Sequence, residues 1–131
     1  MPRFSSASRA RLESCHDDIQ RVFHEVIKHF DCTILEGHRS ESKQNRMVEE
    51  GKSQVRWPDS RHNALPSRAV DVAPFPIDWN DRERFSLFAG FVLGTAKAMG
   101  ITLRWGGDWD MDTEVGDNSF DDLPHFELTD A

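Results

Sequence analysis

Long hydrophobic runs are missing from this chain. No window approaches the ~20 apolar residues that a transmembrane helix needs, so no membrane insertion is expected. The first residues, Met1-Pro2-Arg3-Phe4-Ser5-Ser6, contain no apolar stretch of the kind a secretory signal carries. Basic charge is also short: 16 Lys and Arg stand against 23 Asp and Glu, a formal net charge of −7. Phosphate contacts need a basic face, so nucleic-acid binding is not expected. A local basic pocket for an anionic substrate remains compatible with that balance. Cysteine is scarce too. Cys15 and Cys32 have no CxxC partners, and two thiols do not build a disulfide scaffold. One falls on the apolar face of an expected helix and the other opens an expected strand. Both read as buried, reduced core residues, which fits a reducing cytoplasm. Repeats, low-complexity tracts and linkers are absent.

What is present fits one folded unit. The chain has 131 residues, 37% hydrophobic and 30% charged, enough for a single domain over 1–131 with one core. A monomer is the default at this size. Leu12, Cys15, Ile19, Val22, Phe23, Val26 and Phe30 recur at spacings of three and four, which predicts a helix from Ser8 to Phe30. A short strand over Cys32-Thr33-Ile34-Leu35 follows. Ser40 is placed to cap a helix from Glu41 to Glu50, with Gly51 as its stop. Residues 52–66 read as loop. Arg68 to Ala73 alternates as a strand, with Ala69, Asp71 and Ala73 on one side and Val70 and Val72 on the other. A second long helix is predicted from Asp81 to Met99, with Gly100 at its end. Strands follow over Ile101–Trp105 and Leu123–Leu128, separated by a glycine- and acid-rich loop. The fold class is α+β: a small, largely antiparallel sheet, two long helices, and a metal site on the sheet.

His62, Asp71 and His125 are the residues that stand out. Two imidazoles and a carboxylate commonly hold catalytic zinc, with the fourth position left to water. Asp71 lies between Val70 and Val72. Burying a lone carboxylate there is costly, so it needs a partner, and a metal would supply one. His125 sits among apolar residues in Asp122-Leu123-Pro124-His125-Phe126-Glu127-Leu128. Glu127 points the same way as His125 in an extended chain, so it is placed beside the site to orient a ligand. Zinc lowers the pKa of water and polarises a scissile carbonyl. A nearby carboxylate then moves the proton, and Asp122 is the candidate. The pattern is that of a zinc hydrolase.

Ser60-x-His62, Ala69-Val70-Asp71 and Asp122-x-x-His125 resemble the D-alanyl-D-alanine carboxypeptidase / L-alanyl-D-glutamate endopeptidase family of zinc peptidases. Glu36-Gly37-His38-Arg39-Ser40, Ile77-Asp78-Trp79-Asn80-Asp81 and Leu103-Arg104-Trp105-Gly106-Gly107-Asp108-Trp109 extend the likeness over most of the chain. Within the family, phage endolysins that cut L-Ala–D-Glu bonds in peptidoglycan stems look most similar. The resemblance implies one zinc on His62, Asp71 and His125, with Asp122 as acid/base. It implies that Arg39 holds a substrate carboxylate or stabilises charge on the carbonyl oxygen. It places Ser60 beside the site and sets Gln44 one turn beyond Arg39, facing the same cleft. The chain departs from the pattern in one loop. Eight residues separate His62 from Asp71, Leu65-Pro66 lengthens the segment, and Ser67 stands where glycine is common. The metal geometry survives this if the extra residues bulge outward.

The expected activity is hydrolysis of the stem peptide, and the expected partner is bacterial peptidoglycan. The endolysin likeness implies residence in the host cytoplasm until a separate pore releases the protein. A D-alanyl-D-alanine carboxypeptidase or dipeptidase is the alternative within the enzyme class. A non-catalytic wall-binding zinc domain is the alternative outside it, although such a domain has no use for Asp122. Trp105 and Trp109 flank Gly106-Gly107-Asp108, and either line the cleft or close the core. Asp108-Trp109-Asp110-Met111-Asp112 begins like a calcium loop, but Thr113 and Ser119 stand where the glycine and the glutamate of an EF-hand belong. A looser Ca2+ site and an acidic lid are the readings that remain.

Overall fold

A computed structural model describes residues 2–114 and 121–129. Helix α1 (Ser6–Glu13) and helix α2 (Asp17–Val26) replace the single helix that the apolar spacing predicts. The break has a local cause. His16 caps α2 by accepting the Asp18 N–H at Nδ1, at 3.0 Å. Its own N–H donates to the Ser67 carbonyl at 2.8 Å, while the Ser67 N–H donates to the Ser14 carbonyl at 2.9 Å. Backbone groups that a continuous helix would use internally are thus spent on a distant loop. Asp17 and Asp18 then favour a new helix start, since acidic side chains suit the positive end of the helix dipole.

Strand β1 (Cys32–Glu36) leads to α3 (Glu41–Glu49), whose N-cap is Ser40. A 3-10 turn, Arg61–Asn63, precedes β2 (Ala69–Pro74). Helix α4 (Arg82–Ala98) runs from its Asp81 cap to Gly100 at φ 76°, a left-handed position that glycine adopts without strain. Strands β3 (Leu103–Gly106) and β4 (Asp122–Leu128) complete a four-stranded sheet in the order β1-β2-β4-β3. Every pairing is antiparallel.

The helices cover one face of this sheet. Val22, Phe23 and Val26 of α2 meet Phe88, Val92 and Ala96 of α4 over Val70, Val72 and Phe126. Phe126 makes edge-on contacts with Phe23 at 5.8 Å and Phe88 at 6.2 Å between ring centroids. Burying one such side chain contributes about 1.5–3 kcal/mol. The β1 edge is closed by α1: the Ile34 N–H donates to Ser8 Oγ at 3.1 Å, and Arg11 Nη1 donates to the Ile34 carbonyl at 3.1 Å. Covered edges do not recruit further strands.

With Val70 and Val72 committed to the core, Asp71 emerges on the opposite face. The β2–β4 register sets Asp71 directly across from His125 and Ala69 across from Glu127. Facing residues of an antiparallel pair project to the same side. The lengthened loop bulges outward, with Leu65 75% exposed, while Ser67 is fully buried. Ser67 Oγ donates to the Ala69 carbonyl at 2.7 Å, so this hydroxyl ties the loop back to β2.

Candidate active site

Three segments bring His62, Asp71 and His125 together. The 3-10 turn carries His62, and Ser60 caps that turn by accepting the His62 N–H at 3.3 Å. The Asn63 side chain closes the turn by accepting the Ser60 N–H at 3.1 Å. Asp71 Oδ1 lies 3.3 Å from His62 Nε2 and 3.3 Å from His125 Nδ1. A tetrahedral zinc with bonds of ~2.0–2.1 Å separates its ligand atoms by roughly the same amount. One ligand atom from each of the three residues lies within 4.8 Å of the others.

The imidazoles are oriented from behind. His62 Nδ1 is 2.8 Å from the Gly37 carbonyl and must donate there. That leaves the His62 Nε2 lone pair facing Asp71, and this buried nitrogen has no hydrogen-bond partner. A buried nitrogen so placed fits a metal ligand, because an unsatisfied buried polar atom is otherwise costly. His125 Nε2 is 2.8 Å from Glu127 Oε1, which leaves Nδ1 for the site. A hydrogen-bond acceptor on the far nitrogen is the usual means of fixing a ligating histidine. Gly37 must itself be glycine: a Cβ there would lie 2.3 Å from the Arg11 carbonyl oxygen and 2.3 Å from Ser14 Oγ.

Charge in the cluster follows from this geometry. Burial pushes the Asp71 pKa up, but the His125 hydrogen bond and the neighbouring imidazoles outweigh it and hold the carboxyl well below the usual range. Burial pushes His125 down, yet its hydrogen bonds to Asp71 and Glu127 raise it to about 9. Two carboxylates can only accept, so metal-free His125 donates from both nitrogens. Burial also opposes ionisation of Glu127, while hydrogen bonds from His125 and Arg104 lower its pKa to about 2.

Asp122 opens β4 with Oδ2 4.0 Å from His125 Nδ1. Burial and the neighbouring Asp71 charge raise its pKa above the ordinary carboxylate value. Gly106 lets it come this close. A Cβ at Gly106 would sit 2.0 Å from the Asp122 carbonyl oxygen. Arg39, 6% exposed, approaches from the other side. Its Nε donates to Glu36 Oε1 at 2.6 Å and its Nη1 to Gln44 Oε1 at 2.9 Å. Nη2 lies 3.8 Å from Asp71 Oδ2. Arg39, His62, Asp71, Asp122 and His125 line one cleft of about 490 Å³, with Trp109 at its wall 5.3 Å from the His125 ring.

The sequence profile of the family described as phage L-alanyl-D-glutamate peptidase matches residues 1–129. The chain belongs to this family. It is 28% identical over 120 residues to the L-alanyl-D-glutamate peptidase of Escherichia phage T5, covering 88% of this chain and 87% of that one. The crystal structure of Serratia marcescens L-Ala D-Glu endopeptidase ChiX superposes with a TM-score of 0.76 at 32% identity, covering 97% of this chain and 90% of ChiX.

Some expectations require correction within this peptidase scaffold. Gln44 does not face the cleft. It is fully buried, accepting from Arg39 and donating to Ser53 Oγ and the Val55 carbonyl. Its amide therefore holds Arg39 in place instead of meeting substrate. Trp105 closes the core: it is 4% exposed, and its indole N–H donates to the Leu123 carbonyl at 2.7 Å. Gly106 and Gly107 admit the Asp122 backbone and the Trp105 ring, not a ligand. The expected pair of long helices is one long helix, α4, and two short ones. Asp108, Asp110 and Asp112 do cluster, but their oxygens accept loop N–H groups, among them Thr113 onto Asp108 at 2.9 Å and Glu114 onto Asp112 at 2.8 Å. Ser119, at the expected end of that loop, lies outside the described residues. Sequence reasoning missed Glu36 and the Gly37 carbonyl as supports. Their position within Glu36-Gly37-His38-Arg39 was the available signal.

Proposed function

We propose that the protein hydrolyses the L-Ala–D-Glu bond in the peptide stem of bacterial peptidoglycan, with one zinc ion held by His62, Asp71 and His125. The observation that carries this reading is the convergence of those three side chains in a cleft that also holds Asp122 and Arg39. Family membership and the likeness to two proteins named for the same bond support it. When bound, zinc supplies Lewis acidity that acidifies water and polarises the scissile carbonyl.

The chain's own residues divide the remaining work. Asp122 takes a proton from the attacking water and returns it to the D-Glu amine as the C–N bond breaks. Its raised pKa suits a group that must both accept and donate. Arg39 has two nitrogens committed to Glu36 and Gln44, which aims the guanidinium at the cleft. It binds a substrate carboxylate or the carbonyl oxygen, where charge develops. Trp109 offers an aromatic wall beside His125.

The whole chain is read as one peptidase unit and a monomer. No helix among the described residues is long and apolar enough to cross a membrane. Release through a separate pore would bring the protein to its substrate. A calcium ion at Asp108, Asp110 and Asp112 is a separate reading, favoured by their clustering. Calcium titration that left melting temperature and activity unchanged would count against it.

Mass spectrometry of purified peptidoglycan after incubation with the zinc-loaded protein, beside His125→Ala, tests the activity. New N-terminal D-Glu and C-terminal L-Ala, absent from the control, are expected. Free D-Ala alone would reassign the protein as a carboxypeptidase.

A further inference from the structure

Glu127 is a carboxylate 6% exposed to solvent, and it is shared among three cations or potential cations. Oε1 accepts from His125 Nε2 at 2.8 Å. Oε2 accepts from Arg104 Nη2 at 2.8 Å and lies 2.9 Å from Arg61 Nε. The partners come from β4, β3 and the 3-10 turn. Arg61 immediately precedes His62, and Glu127 follows His125 by two residues. Arg104 is the cross-strand partner of Glu127, so register alone holds their side chains adjacent.

We propose that Arg104 and Arg61 are positioning residues for the metal centre, acting through Glu127 to fix His125 and to tie the two histidine-bearing segments together. The inference rests on reading His62, Asp71 and His125 as metal ligands. With one oxygen committed to two guanidiniums, the Glu127 carboxylate cannot rotate freely, and its other oxygen stays aimed at His125 Nε2. That nitrogen keeps its proton, and Nδ1 is the atom left facing Asp71. The same contact draws the turn carrying His62 toward β4. Glu127 also neutralises guanidinium charge that would otherwise repel a divalent cation nearby. An ordinary stabilising ion pair would need none of this arrangement around a ligating histidine.

Arg104 is the partner to perturb, because Arg61 also lines the cleft. Full-length wild type, Arg104→Met and Arg104→Lys are compared by two readouts. The first is Zn2+ affinity by competition with a chromophoric chelator. The second is the NMR signal of the His125 Nε2 proton in metal-free protein. Wild type is expected to show a slowly exchanging proton. Arg104→Met should lose that signal and bind zinc about 10–100-fold more weakly, the usual effect of removing support behind a ligand. Arg104→Lys should recover most of both, since the contact is made by one nitrogen. If Arg104→Met does not fold, Glu127→Gln keeps the volume and an acceptor but drops the charge, and weakened zinc binding is again expected. Unchanged affinity and an unchanged proton signal in the folded variant would overturn the positioning role alone. A wild type that bound no zinc would overturn the metal reading and this inference with it.

Discussion

Replacing Gly106 with alanine should disable catalysis without removing any group that takes part in it. The new Cβ would lie 2.0 Å from the Asp122 carbonyl oxygen and 2.8 Å from its carbonyl carbon, against an ordinary contact of 3.4 Å. Both obstacles are backbone, so β3 and β4 must separate by about 1.4 Å at this point. Overpacking of this kind costs about 1–3 kcal/mol, which lowers the melting temperature but leaves a folded protein. Asp122 moves with its backbone. A misplacement near 1 Å can cost on the order of 100-fold in rate, so kcat for stem-peptide cleavage should fall by about that factor. Zinc affinity should change far less, because His62 and Asp71 lie on other elements and His125 is three residues further along β4. The assay is the initial cleavage rate on purified peptidoglycan at saturating zinc, beside a chelator-competition measurement and a thermal melt. Asp122→Asn sets the scale, with an expected loss of about 100- to 10,000-fold for a general acid–base group. A folded, zinc-bound Gly106→Ala with wild-type kcat would refute both the assignment of Asp122 and the argument that its placement matters.

Four further outcomes follow from the structure. His125 carries a raised pKa of about 9 in the metal-free site, so zinc binding at neutral pH should release about one proton from it and tighten about tenfold per pH unit up to pH ~9. Calorimetry in buffers of different ionisation enthalpy measures this, and release well below one proton would contradict it. The sign reverses for the stability of the metal-free protein: the His125 contribution is fully present below its unfolded pKa of ~6.5 and is lost as pH rises through about 9. Gln44→Ala should destabilise by about 2–4 kcal/mol, because it opens a cavity and leaves buried partners unpaired. It should also raise KM if Arg39 binds substrate, as denaturant titration and steady-state kinetics on a soluble stem peptide would show. Cys15 and Cys32 are buried, and burial pushes both thiols up to about 12. A thiol-reactive dye at pH 8 should label neither in the native state and both in denaturant.

The helices and strands were largely legible because each follows a local rule. Ser40 and Asp81 cap their helices, Gly51 and Gly100 end them at positive φ, and alternation in Ala69–Pro74 sorts the two faces of β2. Asp71 is legible as a site residue because a carboxylate in an apolar strand is costly without a partner. The break at Ser14–His16 was not legible: the apolar stripe continues through it, and its cause is pairing with Ser67, far away in sequence. The surroundings of Gln44 are hidden from the sequence for a similar reason. Helical spacing gives the face of a residue but not whether that face meets solvent or a loop, here residues 53–55.

The sequence by itself determined which residue types could bind a metal, where α3 and α4 begin and end, and which family the chain resembles. These depend on chemistry carried by single residues and on periodicities of a few residues. Only the tertiary structure decided that Glu127, Arg104 and Arg61 meet behind His125, that the Gly37 carbonyl orients His62, and that Gly106 makes room for Asp122. Those contacts join strands and turns distant along the chain. Their geometry is set by sheet register, where a shift of one residue would send every side chain to the opposite face.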